Sequence, residues 1–347
     1  MDDNDSSQRF QPTSSGRRRR WLGVAALVVA LALIGYGAAS WYVYDRVGTA
    51  PGACHEEDLA NSPESYRTGN VDFQAIADAN TMPAPQEIRF ASRDPQIPDA
   101  KLAAWWIPAE AADAPAVVLV HGIQSCRREA NVLVPAGMLH RAGYSVFLMD
   151  MRDHGDSGGD DRRFAGGSEE YLDVLGGWDW VRAQGVPADR IGILGLSFGA
   201  ISSVIAGGQE PQVAAVWADS VASRLDEGMG NYVVDQLGDP TGLSRIVVPG
   251  AILWARLIAG DDLTRFNPID QVANYTGRSI AFVHGAEDKV LPASMSTEMQ
   301  AAAVAAGATS PEAWIVPGAG HTQAVFFQPA EYESRILAFF TAALGGP

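Results

Sequence analysis

A chain of 347 residues with 47% hydrophobic and 19% charged content can bury one large core, and its length allows one domain or two. The formal net charge of −16 argues against nucleic-acid binding, because neutralising phosphates takes a basic face and this chain would repel a polyanion. The histidines and the two cysteines show no metal-ligand spacing and no Gly-rich phosphate loop precedes a helix, so neither a metal nor a cofactor is expected.

Residues 1–20 form a polar, basic tail ending in Arg17-Arg18-Arg19-Arg20. Residues 21–44 then run without a charge, and 24 residues suffice to cross the ~30 Å hydrocarbon layer as one helix. Trp21 at one end and Trp41, Tyr42 and Tyr44 at the other have the placement of interfacial aromatics. The arginine cluster puts the amino terminus in the cytoplasm, so the expectation is a single-pass cell-membrane anchor with the remainder extracytoplasmic. A cleaved signal peptide competes, since Ala38-Ala39-Ser40 offers small residues near a cut, but the apolar run exceeds the ~7–15 residues of a signal core. Outside the cytoplasm, Cys54 and Cys126 can form one disulfide tying the juxtamembrane segment to the globular part, or remain two unrelated thiols. The sequence supplies no distance between them.

Residues 45–85 carry Pro51, Pro63, Pro83 and Pro85 and read as a stalk with one short helix near 73–79. Glu87–Phe90 and Leu102–Ile107, separated by a proline-bearing turn, read as an edge hairpin. From there the pattern changes to continuous apolar runs of the kind buried on both faces: 116–120, 145–149, 190–194, 213–217 and 279–283. Helical periodicity lies between them, over 129–141 and over 168–184, where Tyr171, Val174, Leu175, Trp178 and Val181 share one stripe. Strand alternating with helix implies an α/β domain over 86–345, with a mostly parallel sheet and helices on both faces. Residues 221–276 interrupt the alternation with helical and loop material and read as a cap inserted over the sheet.

The run 190–194 leads into Gly195-Leu196-Ser197-Phe198-Gly199, and the residues after it continue as a helix. A nucleophile held on a sharp strand-to-helix turn brings neighbouring backbones so close that side chains two residues either side would collide, and Gly195 and Gly199 remove them. Ser197 is therefore the candidate nucleophile. A second match, Gly155-Asp156-Ser157-Gly158-Gly159, also looks like the serine segment of trypsin-like proteases. No helix pattern follows Ser157, and the many hairpin-spaced strands of an all-β protease are missing.

Over roughly 86–345 these residues resemble the α/β-hydrolase fold serine hydrolases, in particular membrane-anchored members with a small cap. The likeness rests on five motifs in order: His121-Gly122, the stretch Asp150-Met151-Arg152-Asp153-His154-Gly155-Asp156-Ser157, the elbow at Ser197, His284–Pro292 with Asp288, and Gly318-Ala319-Gly320-His321. Asp153 departs from the pattern, standing where such proteins usually have Gly after the Arg.

A serine hydroxyl needs a base within hydrogen-bond reach and a carboxylate to hold that base in one tautomer. In the resembled fold the chain order is Ser, acid, His. His321, after the last expected strand Trp314–Val316, is the expected base, and Asp288, five residues past the strand 279–283, the expected acid. Asp219 is the rival carboxylate and Glu287 a lesser one. His121, His154 and His284 belong to motifs whose histidines usually shape loops. Backbone N–H groups of Ile123 and Phe198 are expected to form the oxyanion hole, with Gln124 ordering its loop. The resemblance implies a serine hydrolase cleaving a small-molecule carboxylic ester through an acyl-enzyme. A peptidase of the aminopeptidase-like type and a non-catalytic binding module on the same fold are the alternatives.

Overall fold

The structure, a computed structural model, describes residues 14–50, 52, 54–97, 101–159, 162–260 and 262–347. Residues 1–13 of the polar tail, Pro51, Ala53, residues 98–100, Asp160-Asp161 and Asp261 lie outside the described residues.

Helix α1 (Ser14–Val47) is long and apolar enough to cross a membrane. A short helix α2 (Gln74–Asp78) precedes strands β1 (Gln86–Phe90), β2 (Leu102–Ile107) and β3 (Ala116–Val120). Then come α3 (Ala130–Arg141), β4 (Ser145–Met149), α4 (Glu170–Ala183), β5 (Ile191–Leu196), α5 (Phe198–Gln209) and β6 (Ala215–Asp219). The remainder is α6 (Leu225–Gln236), α7 (Val248–Ile258), α8 (Pro268–Gln271), β7 (Ser279–Gly285), α9 (Ser294–Ala305), β8 (Trp314–Val316), α10 (Ala324–Phe327) and α11 (Pro329–Leu344).

The eight strands form one sheet in the order β1-β2-β4-β3-β5-β6-β7-β8, antiparallel at β1–β2 and β2–β4 and parallel elsewhere. The continuous apolar runs are explained by burial on both faces. Val118 and Val120 of β3 pack with Val174 and Trp178 of α4 and Val204 of α5, while Val117 and Leu119 pack with Leu133 of α3 and Phe340 of α11. β6 starts two residues later than the apolar run 213–217 suggests, because the Val213 N–H turns back to the Glu210 carbonyl after α5, and the ladder with β5 runs from Ala215 to Asp219.

Residues 54–85, which read as a stalk, lie against this body. Tyr66, Ala77 and Met82 are buried in the α3 side of the core. Cys54 and Cys126 are joined, with Cα atoms 5.3 Å apart. The inserted material divides in two. Helices α6 and α7 stand over the sheet, whereas the segment from Phe266 rejoins the body: Tyr275 is buried and donates its hydroxyl to the Val204 carbonyl. A third apolar cluster joins the cap to the end of α1 through Val43, Tyr44, Val233, Val248, Ala251, Ala255 and Leu263.

Candidate active site

Ser197 follows β5 and precedes α5 with φ 53 and ψ −116, a conformation that costs a non-glycine residue about 1–3 kcal/mol and lifts its hydroxyl off the sheet edge. The glycines around it are required by contact. A Cβ on Gly195 would stand 2.4 Å from the Gly199 carbonyl oxygen, and one on Gly199 would stand 2.3 Å from the His121 carbonyl oxygen.

His321, in the loop after β8, places Nε2 2.7 Å from Ser197 Oγ and Nδ1 2.6 Å from Asp288 Oδ2. The carboxylate accepts at Nδ1, so Nδ1 carries the hydrogen and Nε2 is left to accept from the serine hydroxyl. Asp288, after β7, is fixed by the N–H groups of Val290 and Leu291, which donate to Oδ1 at 2.8 and 2.9 Å. Its side chain has no exposure; burial alone raises its pKa, but the hydrogen bonds from His284 and His321 outweigh that and hold the carboxyl well below the usual range.

The structure thus brings together Ser197, His321 and Asp288. It sets the rivals elsewhere. Asp219 accepts from Ser220 Oγ and from the Tyr332 hydroxyl, and burial pushes its pKa up to about 6. Glu287 is exposed. Ser157 donates to the Asp150 carbonyl and accepts from the Ala103 N–H, pinning a loop to β2.

The other motif histidines bind loops. His121 Nε2 accepts from the Met151 N–H, so its Nδ1 donates to the Gly122 carbonyl at 2.7 Å and ties the β3 loop to the β4 loop. His284 places Nε2 3.0 Å from Asp288 Oδ2 and Nδ1 2.7 Å from Ser296 Oγ, a support for the acid that the sequence did not disclose. Asp153 keeps the glycine-like loop shape by adopting φ 58, which Asp tolerates better than most residues.

The cavity over Ser197 is apolar. Ile123, Phe164, Phe198 and Ile201 wall it from the body, Leu225, Met229 and Val233 from α6, and Val248 and Ala251 from α7. Ile123 and Phe198, the two expected oxyanion positions, both border it beside the serine. The fourth wall is unexpected: Val43, Tyr44 and Val47, the last turns of α1. Tyr44 is 5% exposed and packs its ring under the Arg163 guanidinium at 4.6 Å, while Trp41 and Tyr42 stay exposed.

This sheet with its crossover helices is the α/β-hydrolase fold, and the Ser–His–Asp line upon it is the arrangement of a serine hydrolase. Residues 100–236, less than half of the chain, match the family described as X-Pro dipeptidyl-peptidase (S15 family). Among solved structures the chain is similar to an esterase from Pyrococcus furiosus, with 24% identity over 75% of this chain and 93% of that one and a TM-score of 0.59. It is also similar to a puromycin-hydrolyzing peptidase from Mycobacterium tuberculosis, with 17% identity, 77% and 41% coverage and a TM-score of 0.58. An acylaminoacyl peptidase from Pyrococcus horikoshii matches at 19% identity, 76% and 42% coverage and a TM-score of 0.54. At such identities the likeness establishes the fold. No curated protein sequence matches the chain.

Proposed function

We propose that the protein is a membrane-anchored serine hydrolase that cleaves a carboxylic ester, with Ser197, His321 and Asp288 as its triad and the catalytic domain on the outer side of the cell membrane. Ser197 Oγ adds to the acyl carbon as its proton passes to His321 Nε2, and the carbonyl oxygen becomes an oxyanion held by the N–H groups of Ile123 and Phe198. His321 returns the proton to the departing alkoxide, which leaves as the alcohol. Water, deprotonated by the same nitrogen, then adds to the acyl-enzyme, and its collapse frees the acid and restores Ser197. Asp288 keeps the imidazole in the Nδ1–H form throughout.

The observation that carries the ester reading is the lining of the cavity over Ser197, which offers an acyl chain apolar walls and, among the described residues, no charged side chain to meet an ammonium or carboxylate group. A peptidase reading has its own support in the S15 match and in a separate polar hollow beside His321 with Glu57, Asp58 and Glu129 in its lining, carboxylates of the type that hold an α-ammonium. Measuring kcat/KM over a series of nitrophenyl esters beside aminoacyl-anilides separates the two. Esters turned over far faster are the expected outcome, and faster turnover of the anilides gives the site to peptides.

A further inference from the structure

The last turns of α1 are built into the enzyme. Trp254 of α7 donates its indole N–H to the Gly37 carbonyl at 3.0 Å, and Gly250 meets α1 so closely that a Cβ there would lie 2.2 Å from Ser40 Oγ. Arg163 closes the end of α1, placing a cation against the carbonyls of Tyr44 and Asp45 at 3.4 Å and pairing with the Asp45 carboxylate at 3.0 Å. Helix and cap therefore hold a fixed relation.

That relation sets the depth of the cap. Trp41 is exposed and belongs at the water–lipid boundary, and Gly37 lies one turn inward, about 6 Å deeper. Trp254 reaches that depth. α7 and the turn before it also carry side chains that a water-facing surface seldom collects: Leu253, Leu257 and Ile258 on α7 and Leu243 and Ile246 just before it are 55–67% exposed. Leu31, Leu33 and Ile34 of α1 are bare to the same degree, 59–67% exposed.

We propose that α7 lies in the outer surface of the bilayer with these side chains in lipid, and that the site takes its ester from the membrane, with Val43, Tyr44 and Val47 of α1 forming one wall of the acyl cavity. The substrate class is a lipid-soluble acyl ester held in the bilayer. This inference rests on the reading of α1 as a membrane span and of Ser197 as the nucleophile of an ester hydrolase.

The location is tested without reference to activity. The full chain carrying Leu257→Cys, the native cysteines being joined in a disulfide, is labelled with an environment-sensitive fluorophore and reconstituted in phosphatidylcholine vesicles. Blue-shifted emission quenched by nitroxide-bearing lipids is expected. Water-like, unquenched emission overturns the proposal, as does a blue shift that lipid nitroxides leave unquenched and that vanishes when the copies are diluted, which would assign the face to a second copy of the chain. The source of substrate is tested with Leu253→Glu/Leu257→Glu, neither residue lining the cavity. Turnover of a vesicle-borne long-chain umbelliferyl ester should drop roughly tenfold or more while dissolved nitrophenyl butyrate is cleaved as before. Equal loss on both esters overturns it. If the unmutated chain cleaves neither ester and takes no fluorophosphonate at Ser197, the hydrolase reading and the substrate half of this proposal fall together, while the fluorescence still decides where α7 lies.

Discussion

His284 Nε2 stands 3.0 Å from the Oδ2 of Asp288, the same oxygen that His321 Nδ1 engages at 2.6 Å. One carboxylate oxygen thus serves two imidazoles, and the acid is braced from the interior as well as from the site. Removing the acid should hurt less than removing the nucleophile, because Ser197 and its base both remain and only the orientation and charge stabilisation of the imidazole are lost. Ser197→Ala should lower kcat by roughly 10⁵–10⁶ and Asp288→Asn by roughly 10⁴. Fluorophosphonate labelling should occur once and vanish in Ser197→Ala. Retained labelling, or an Asp219→Asn variant more damaged than Asp288→Asn, contradicts the assignment.

The depressed pKa of Asp288 also fixes a pH dependence. An acid held below its unfolded value stabilises the fold fully above the ordinary carboxylate range, and that share is lost as pH falls through the folded value. The Tm gap between the unmutated chain and Asp288→Asn should therefore be constant at neutral and mildly acidic pH and shrink as pH drops below about 4. Thermal melts at several pH values check this, and a gap that widens on acidification has the wrong sign.

Apolar walls reward each buried methylene by about 0.8 kcal/mol, close to fourfold in kcat/KM, until the cavity is full. Efficiency on neutral esters should rise with acyl length and then fall. Val43→Trp, which thickens the α1 wall, should move the peak to shorter chains and leave acetate ester turnover nearly unchanged. An unmoved peak would remove α1 from the acyl cavity.

The bond between Cys54 and Cys126 closes a loop of 72 residues, for which chain entropy gives a stabilisation of about 4 kcal/mol. Cys54→Ser/Cys126→Ser should unfold at lower temperature than the oxidised chain and match the reduced one. Equal Tm values for all three would show that the packing of Tyr66 and Met82 already holds that segment.

The parts of the molecule readable from sequence are those where local chemistry has one solution. The glycine at 195 follows from a backbone contact four residues away and that at 199 from the turn it shares with Ser197, although the atoms Gly199 meets belong to the end of β3, and the runs at 116–120 and 145–149 are strands wherever they are buried on both faces. Asp153 was readable only as a departure, because whether a residue other than glycine will adopt a positive φ depends on the loop around it. The division of residues 221–276 into a cap and a returning segment was hidden, since Tyr275 and Tyr232 are equally apolar and only the fold puts the first against Val204. The wall at Val43–Val47 was hidden for a related reason. A side chain facing lipid and one facing an acyl cavity are chosen from the same residues, so an uncharged run carries no mark of where one role gives way to the other.

Thr49 pairs with Arg163 in a single antiparallel bridge just past the end of α1, and this short stitch is where α1 meets the globular body. On the proposed reading, a protease cutting near it would part α1 from a body that keeps Ser197, His321 and Asp288 but has lost a side of the cavity above them. Shedding and loss of selectivity would then be one chemical event, and a trimmed enzyme assayed in solution would report the appetite of a breached vessel.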